Sequence, residues 1–264
     1  MTRLPLPVIT YNEPPSNPEE KCQSSPNAIP PFGIRVQQLL LEIDLDTNSI
    51  QEDKFSEISP WTLERAGSIL DLAALHKDKT PPEVYREKFE QIIDNHSDHY
   101  LLFTDGSKDE ACVGAACHSS SADKCCGVNA KASIITVEAV ALCMALDTVS
   151  TLRKDKFLIL SDSLSLVKAV GEATPRNPRI LKVLERIHEI QTGGKRIVLC
   201  WIPSHVGIEG NEMADELAKI GLEPTQLQIP ASDAKPIIQT FMRETGNAME
   251  QYDNQQIALC PTTF

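Results

Sequence analysis

Four carboxylates and one histidine are the residues of this 264-residue chain whose types and placement could do chemistry. Asp105 closes the apolar run YLLFT and opens Asp105-Gly106-Ser107. Asp162 closes FLILS, Glu138 lies inside TVEAVALCMAL, and Asp215 follows the loop SHVGIEG that contains His205. Carboxylates sent to one place suit a particular reaction. Hydrolysing a phosphodiester without a protein nucleophile requires water to be deprotonated and charge on the leaving oxygen to be neutralised. Two Mg²⁺ ions about 3.5–4 Å apart do both. Mg²⁺ takes hard oxygen ligands and keeps several waters, so a few convergent carboxylates suffice.

Whether they converge depends on the elements that carry them. Tyr100 to Thr104 reads as a strand followed by a turn, Cys112 to Ser119 and Lys124 to Lys131 as two more strands. Ile135 to about Leu152 reads as a helix, Phe157 to Leu160 as a buried strand, Leu164 to Gly171 as a short helix. Asn177 to Gln191 is a helix ended by Gly193-Gly194, Arg196 to Ile202 a last strand, and Asn211 to Ile220 a final helix stopped by Gly221. The order β-β-β-α-β-α-α-β-α predicts an α/β fold with a mixed sheet and helices on its faces. If the first and fourth strands are neighbours, Asp105 and Asp162 emerge at related levels, where such sheets bind ligands. Glu138 shares a helical stripe with Leu142, Ala145 and Val149, so its charge points at packing surface, which is costly without a cation.

Each residue also has an ordinary reading. Asp105 suits a turn, Asp162 an N-cap, Glu138 the first turn of a helix, Asp215 a solvated helix face and His205 a plain loop. The order and spacing of all five decide more than any one does.

Composition bounds the rest. The formal charge is −12 and 41% of residues are hydrophobic, enough for a core. A net acidic chain is a poor free-standing, charge-driven nucleic-acid binder. The acidity is uneven: −7 over residues 1–97, −2 over 98–222 and −3 over 223–264. Eleven of the 18 prolines fall in residues 1–97, predicting a Pro-rich, partly disordered connector, irregular to about Phe32, with one helix from Pro82 to about Asn95. The stretch from Ile58 to His76 is ambiguous. Eight cysteines without a CxxC pair read as buried reduced thiols, not a zinc site. No apolar run approaches the ~18 residues of a membrane span, and the N-terminus lacks a signal-peptide core, so an intracellular (cytoplasmic or nuclear), non-secreted protein with no membrane association is expected.

FTDGS, the helical Glu of TVEAVALCMAL, LILSDS and WIPSHVGIEGNEMADELAK, in this order, resemble the ribonuclease H type 1 domain over about residues 98–222. The last block is the most specific, fixing His205, Gly210, Asn211 and Asp215 in one piece. The resemblance implies a ribonuclease H-like five-stranded mixed sheet with helices on both faces. It implies an endoribonuclease acting on the RNA strand of RNA–DNA hybrids, with two Mg²⁺ (Mn²⁺ as a substitute) held by Asp105, Glu138, Asp162 and Asp215. Glu138 would also lie near the ribose 2′-hydroxyl, His205 would carry protons, Gly106 and Ser107 would offer backbone contacts to RNA, and Asn211 a polar contact.

The interval from Ser163 to Lys195 lacks the basic protrusion common in cellular members. Its NPRILKVLERIHEIQTGGK reads as an amphipathic helix with a solvated charged face. The wording of the motifs resembles the domain of arthropod-type non-LTR retrotransposons. The region from Ile58 to Asp105 (ISPW, then PPEVYREKFEQIIDNH, then LLFTDGSK) resembles the connector after their reverse transcriptase, and IPASDAKPIIQTFMRE their C-terminal helix, within an extension over 223–264. The expectation is a monomeric element fragment or host-resident descendant, working with a reverse transcriptase supplied in trans. The competing expectation is a catalytically silent domain of the same kind, kept for hybrid binding or protein contacts; another nuclease or transposase on this fold is disfavoured by the IPSHVGIEGNEMADELA block.

Overall fold

The computed structural model describes residues 32–51, 58–76, 79–109, 112–173, 175, 177–220 and 228–259. The chain forms two compact units, Met1–Leu45 and Asp46–Phe264. Within the first, α1 spans Phe32–Glu42. The irregular segment expected before Phe32 lies outside the described residues, as does Gly221.

The second unit contains β1 (Ile50–Gln51), β2 (Gly67–Ile69), α2 (Pro82–Asn95), β3 (Tyr100–Lys108), β4 (Val113–His118), β5 (Lys124–Gly127) and α3 (Ile134–Thr151). It continues through β6 (Lys156–Ser161), α4 (Leu164–Gly171), α5 (Pro178–Thr192), β7 (Arg196–Trp201), α6 (Glu209–Ala218), β8 (Ile229–Pro230) and α7 (Ala231–Leu259). The main sheet has the order β2-β7-β6-β3-β4-β5. β2, β7, β6 and β3 run parallel, while β4 and β5 turn back antiparallel. β1 and β8 make a separate two-residue parallel pair.

Period-two alternation explains why the parallel strands are buried on both sides. Leu102, Phe157, Ile159, Ile197 and Leu199 face a layer built from α3, α4 and α5. Phe103, Leu158, Leu160 and Cys200 face the other, built from Tyr85 and Ile92 of α2 and Ala214 of α6. α5 starts with Pro178, and its cap Asn177 accepts a 2.8 Å bond from the Arg179 amide. It buries Ile180, Val183, Leu184, Ile187 and Ile190. On its outer face Arg186 pairs with Asp147 at 3.0 Å and Glu189 at 3.1 Å.

The sheet has six strands, not the five expected. The sixth is β2, only three residues long, with Gly67, Ser68 and Ile69 paired with Val198, Leu199 and Cys200. A strand that short has no periodicity to read; distant contacts hold it. Leu63 is buried in the first core, and the Arg65 guanidinium donates to the carbonyls of Val170 (3.1 Å) and Ala173 (3.0 Å). The unit carrying the sheet therefore begins at Asp46, and β2 and α2, drawn from the segment expected as a connector, lie inside it.

α3 matches the helix expected from Ile135 to about Leu152 within a residue at each end. It has 18 residues and a mean hydropathy of 1.6, the length and composition of a membrane span. A helix apolar all round is either a span or a core helix. Here Val137, Ala141, Leu142, Ala145, Leu146 and Val149 are all buried, and most of them join the first core.

The start of α3 is fastened by α7. Asp233, itself buried, accepts from the Ser133 amide at 2.8 Å and the Ser133 hydroxyl at 2.9 Å. Ser133 makes no capping bond to its own helix, so the carboxylate of a distant helix meets the open amide end instead. Asp233→Ala is expected to cost about 1–3 kcal/mol in urea unfolding, since two charge-assisted bonds vanish and buried donors lose their partner.

Candidate active site

Register brings the first two carboxylates together. Thr104 of β3 pairs with Ser161 of β6, so the next residues, Asp105 and Asp162, fall side by side. β3 does not turn at Asp105-Gly106-Ser107 as expected. It continues to Lys108, with Asp105, Gly106 and Ser107 paired with Ala116, Ala115 and Gly114 of β4. The ladder to β4 keeps the strand extended, while β6 ends at Ser161 and frees its other edge. The acids gather at that edge.

Glu138 reaches the same place from α3. It is the fifth helical residue, beyond the first turn. Gly106 permits the approach: a Cβ there would lie 2.9 Å from the Glu138 amide nitrogen and 3.1 Å from its carboxyl carbon. The Gly106 amide donates to the Glu138 carboxylate. The other oxygen, Oε2, is buried with no hydrogen-bond partner among the described residues. Ligand atoms of Asp105, Glu138 and Asp162 all lie within 4.8 Å of one another, with Asp105 and Glu138 each 5% exposed.

The electrostatics follow from burial and like charge. Burial, then the charges of Asp162 and Asp215, pushes the Asp105 carboxyl up to about 7. Burial, then Asp105 and Asp162, pushes Glu138 up to about 9. Burial also raises Asp162, against hydrogen bonds from Asp105 and Asn211 that favour its charged form. The Trp201 indole N–H fixes the backbone here, donating to the Asp162 carbonyl at 2.9 Å. Asp162 is not an N-cap, since Ser163 holds that position before α4.

Asp215 and His205 form an adjoining group with Glu212, again with ligand atoms within 4.8 Å of one another. Asp215 sits on α6 and is ion-paired with Lys219 one turn on, at 2.6 Å. α6 approaches β3 closely because Gly210 has no side chain: a Cβ would lie 2.3 Å from the Phe103 ring. Asn211, the expected polar contact, is 2% exposed and donates to Asp162, leaving its Oδ1 without a partner among the described residues. Ser107 is half-buried on β3 beside Gly106.

Glu212 was not singled out by sequence, although it lies one helical turn before Asp215, on the same side of α6. Its Oε1 accepts from the Gly207 amide at 3.3 Å, and its Oε2 lies 3.8 Å from His205 Nδ1.

Residues 97–223, just under half of the chain, match the family model described as RNase H. This segment is similar to ribonuclease H domains. No curated protein matches the chain. The six-stranded mixed sheet with helices on both sides is consistent with the ribonuclease H-like fold, and β2 and α2 precede the matched segment. The donor set of this segment suits a hard divalent cation: oxygen ligands only, clustered, with one buried oxygen lacking a proton donor among the described residues.

Proposed function

We propose that this chain is an endoribonuclease that hydrolyses the RNA strand of RNA–DNA hybrids by a two-metal-ion mechanism. The observation carrying this reading is the largely buried cluster of Asp105, Glu138 and Asp162, with Glu138 Oε2 unpartnered among the described residues, inside the segment that matches the RNase H family model. Three carboxyl groups are held together where burial and mutual repulsion disfavour their ionised forms, and a bound cation would offset that cost.

Asp105, Glu138, Asp162 and Asp215 would hold two Mg²⁺, with Mn²⁺ able to substitute. When bound, the ions supply an activated water and charge neutralisation at the scissile phosphate. The chain's own groups do the rest. Asn211 and Trp201 keep Asp162 in place. Gly106 and Ser107 present backbone to the RNA strand, and Glu138 stands beside its 2′-hydroxyl. His205, whose ring is exposed, moves a proton to or from the cleaved phosphate. The −2 of residues 98–222 includes −4 from the four acids, so the remaining side chains of the segment sum to +2. Binding is then weak and salt-sensitive. The motif wording favours a non-LTR retrotransposon origin, with the grip on the hybrid supplied by a reverse transcriptase in trans.

Incubating the full chain with an end-labelled hybrid, Mg²⁺ and low salt tests this. The expected products are RNA fragments with 5′-phosphate and 3′-hydroxyl ends, and no cutting of the DNA strand. Folded protein that binds the hybrid yet leaves it intact in both Mg²⁺ and Mn²⁺ would instead identify a silent binding module.

A further inference from the structure

We propose that Arg86 of α2, which lies outside the ribonuclease H segment, is a positioning residue that straps the loop bearing His205 into its working place. The functional half of this statement rests on the role given to His205 above. The structural half stands on the loop itself.

The His205 ring is 65% exposed, and Glu212 Oε2, at 3.8 Å, is beyond hydrogen-bond reach. Packing therefore does not place the imidazole; the backbone beneath it must. That backbone is unusual. His205 has φ +58°, in the left-handed region that side chains other than glycine's rarely adopt, and Gly207 has φ +81°. Such a conformation persists only where its surroundings impose it.

The surroundings act on the one peptide unit that joins Val206 to Gly207. Its carbonyl accepts from Arg86 Nη1 at 2.9 Å, and its N–H donates to Glu212 Oε1 at 3.3 Å. One residue beyond His205, a single peptide is gripped at both ends, by α2 on one side and α6 on the other. Arg86 is aimed by its neighbour Glu83, which accepts from Nη2 at 2.9 Å. It also packs where a Gly207 side chain would go, since a Cβ there would lie 3.0 Å from Nη1. Val206 and Ile208 are buried in the same core as Tyr85 and Ile92 of α2. The apolar contacts seat the loop, and Arg86 selects which way its peptide faces.

Two measurements on the full chain decide the matter. In hydrogen exchange, Arg86→Ala is expected to speed amide exchange over residues 204–208 by about tenfold or more, without a change at the β3–β6 ladder. In hybrid cleavage with Mg²⁺, Arg86→Ala is expected to lower kcat about tenfold, with KM within about twofold, as displacement of a proton carrier would. Arg86→Lys, which keeps one donor, should recover part of both. The same change made in a His205→Ala background should lower kcat by less than about twofold, because the group being positioned is already gone.

Equal losses in the two backgrounds would show that Arg86 acts elsewhere, and unaltered exchange at 204–208 would overturn the strap. If the unmodified chain cuts no hybrid, the proposed activity fails, and exchange in Arg86→Ala still decides whether the strap exists: faster exchange keeps it, unaltered exchange removes it.

Discussion

Asp105→Asn is expected to make the metal-free protein more stable while abolishing hybrid cleavage. Asp105 is buried, stands beside Asp162 and Glu138, and has its carboxyl pushed up to about 7 by that burial and by its neighbours' charges. Near pH 8 the fold must therefore hold a carboxylate that it disfavours. An amide of the same shape removes the charge and keeps a donor for Asp162, which already receives a hydrogen bond from Asp105. For a unit of this size, 1 kcal/mol is worth roughly 2–4 °C in Tm. A rise of several degrees in chelator at pH 8 is thus the expected reading. Cleavage should fall by at least about 10³-fold, because under the proposed two-ion mechanism the loss of one metal ligand forfeits several kcal/mol of charge stabilisation at the phosphate. If Asp105→Asn instead lowers Tm together with activity, the residue supports the fold, and its place in the cluster has another cause. Residues that stabilise when neutralised are the ones a fold keeps for chemistry.

That conflict between stability and placement is why the candidate cluster is legible in the sequence where parts of the architecture are not. Asp105 and Asp162 each follow a buried apolar run, and runs with no polar alternation are what central parallel strands look like. The register then sets the pair adjacent without further instruction. Glu138 stood out for the same reason, as a charge on a stripe of Leu142, Ala145 and Val149. The residues that hold these groups in place were illegible because their partners are distant in the chain. Arg65 reaches Val170 and Ala173, Asp233 reaches Ser133, and Arg86 reaches Val206. No local pattern encodes a bond across 100 residues. The extension of β3 through Asp105-Gly106-Ser107 belongs with these cases: the tripeptide prefers a turn, and pairing with β4 overrides it. β2 is the extreme example, three residues whose identity as a strand comes wholly from β7.

Stability should fall as pH rises when metal is absent, and Mg²⁺ should reverse the trend. Asp105 and Glu138 have folded-state values raised to about 7 and about 9, above the 3.8 and 4.5 that the same groups take in an unfolded chain. Between the unfolded and folded values the native state binds more protons than the unfolded one, so the unfolding free energy declines with pH across that window. The stabilising contribution is complete below about pH 4. It is lost as pH climbs through 7 for Asp105 and through 9 for Glu138. A chelated sample melted at intervals from pH 5 to 9 should therefore lose Tm steadily, apart from the changes common to any acidic protein. Divalent ions bind the ionised carboxylates only, so their contribution grows over the same range. At a free concentration near 100 times Kd a bound ion adds about 2.7 kcal/mol. The chelator and Mg²⁺ curves should thus lie close at pH 5 and diverge towards pH 9. In Asp105→Asn the chelator curve should flatten on its lower-pH side, where Asp105 titrates, and the Mg²⁺ increment should shrink. Parallel curves at every pH would mean that the ion binds elsewhere on this acidic chain. A divergence that Asp105→Asn removes ties the pH dependence, the metal and the buried cluster to a single set of atoms.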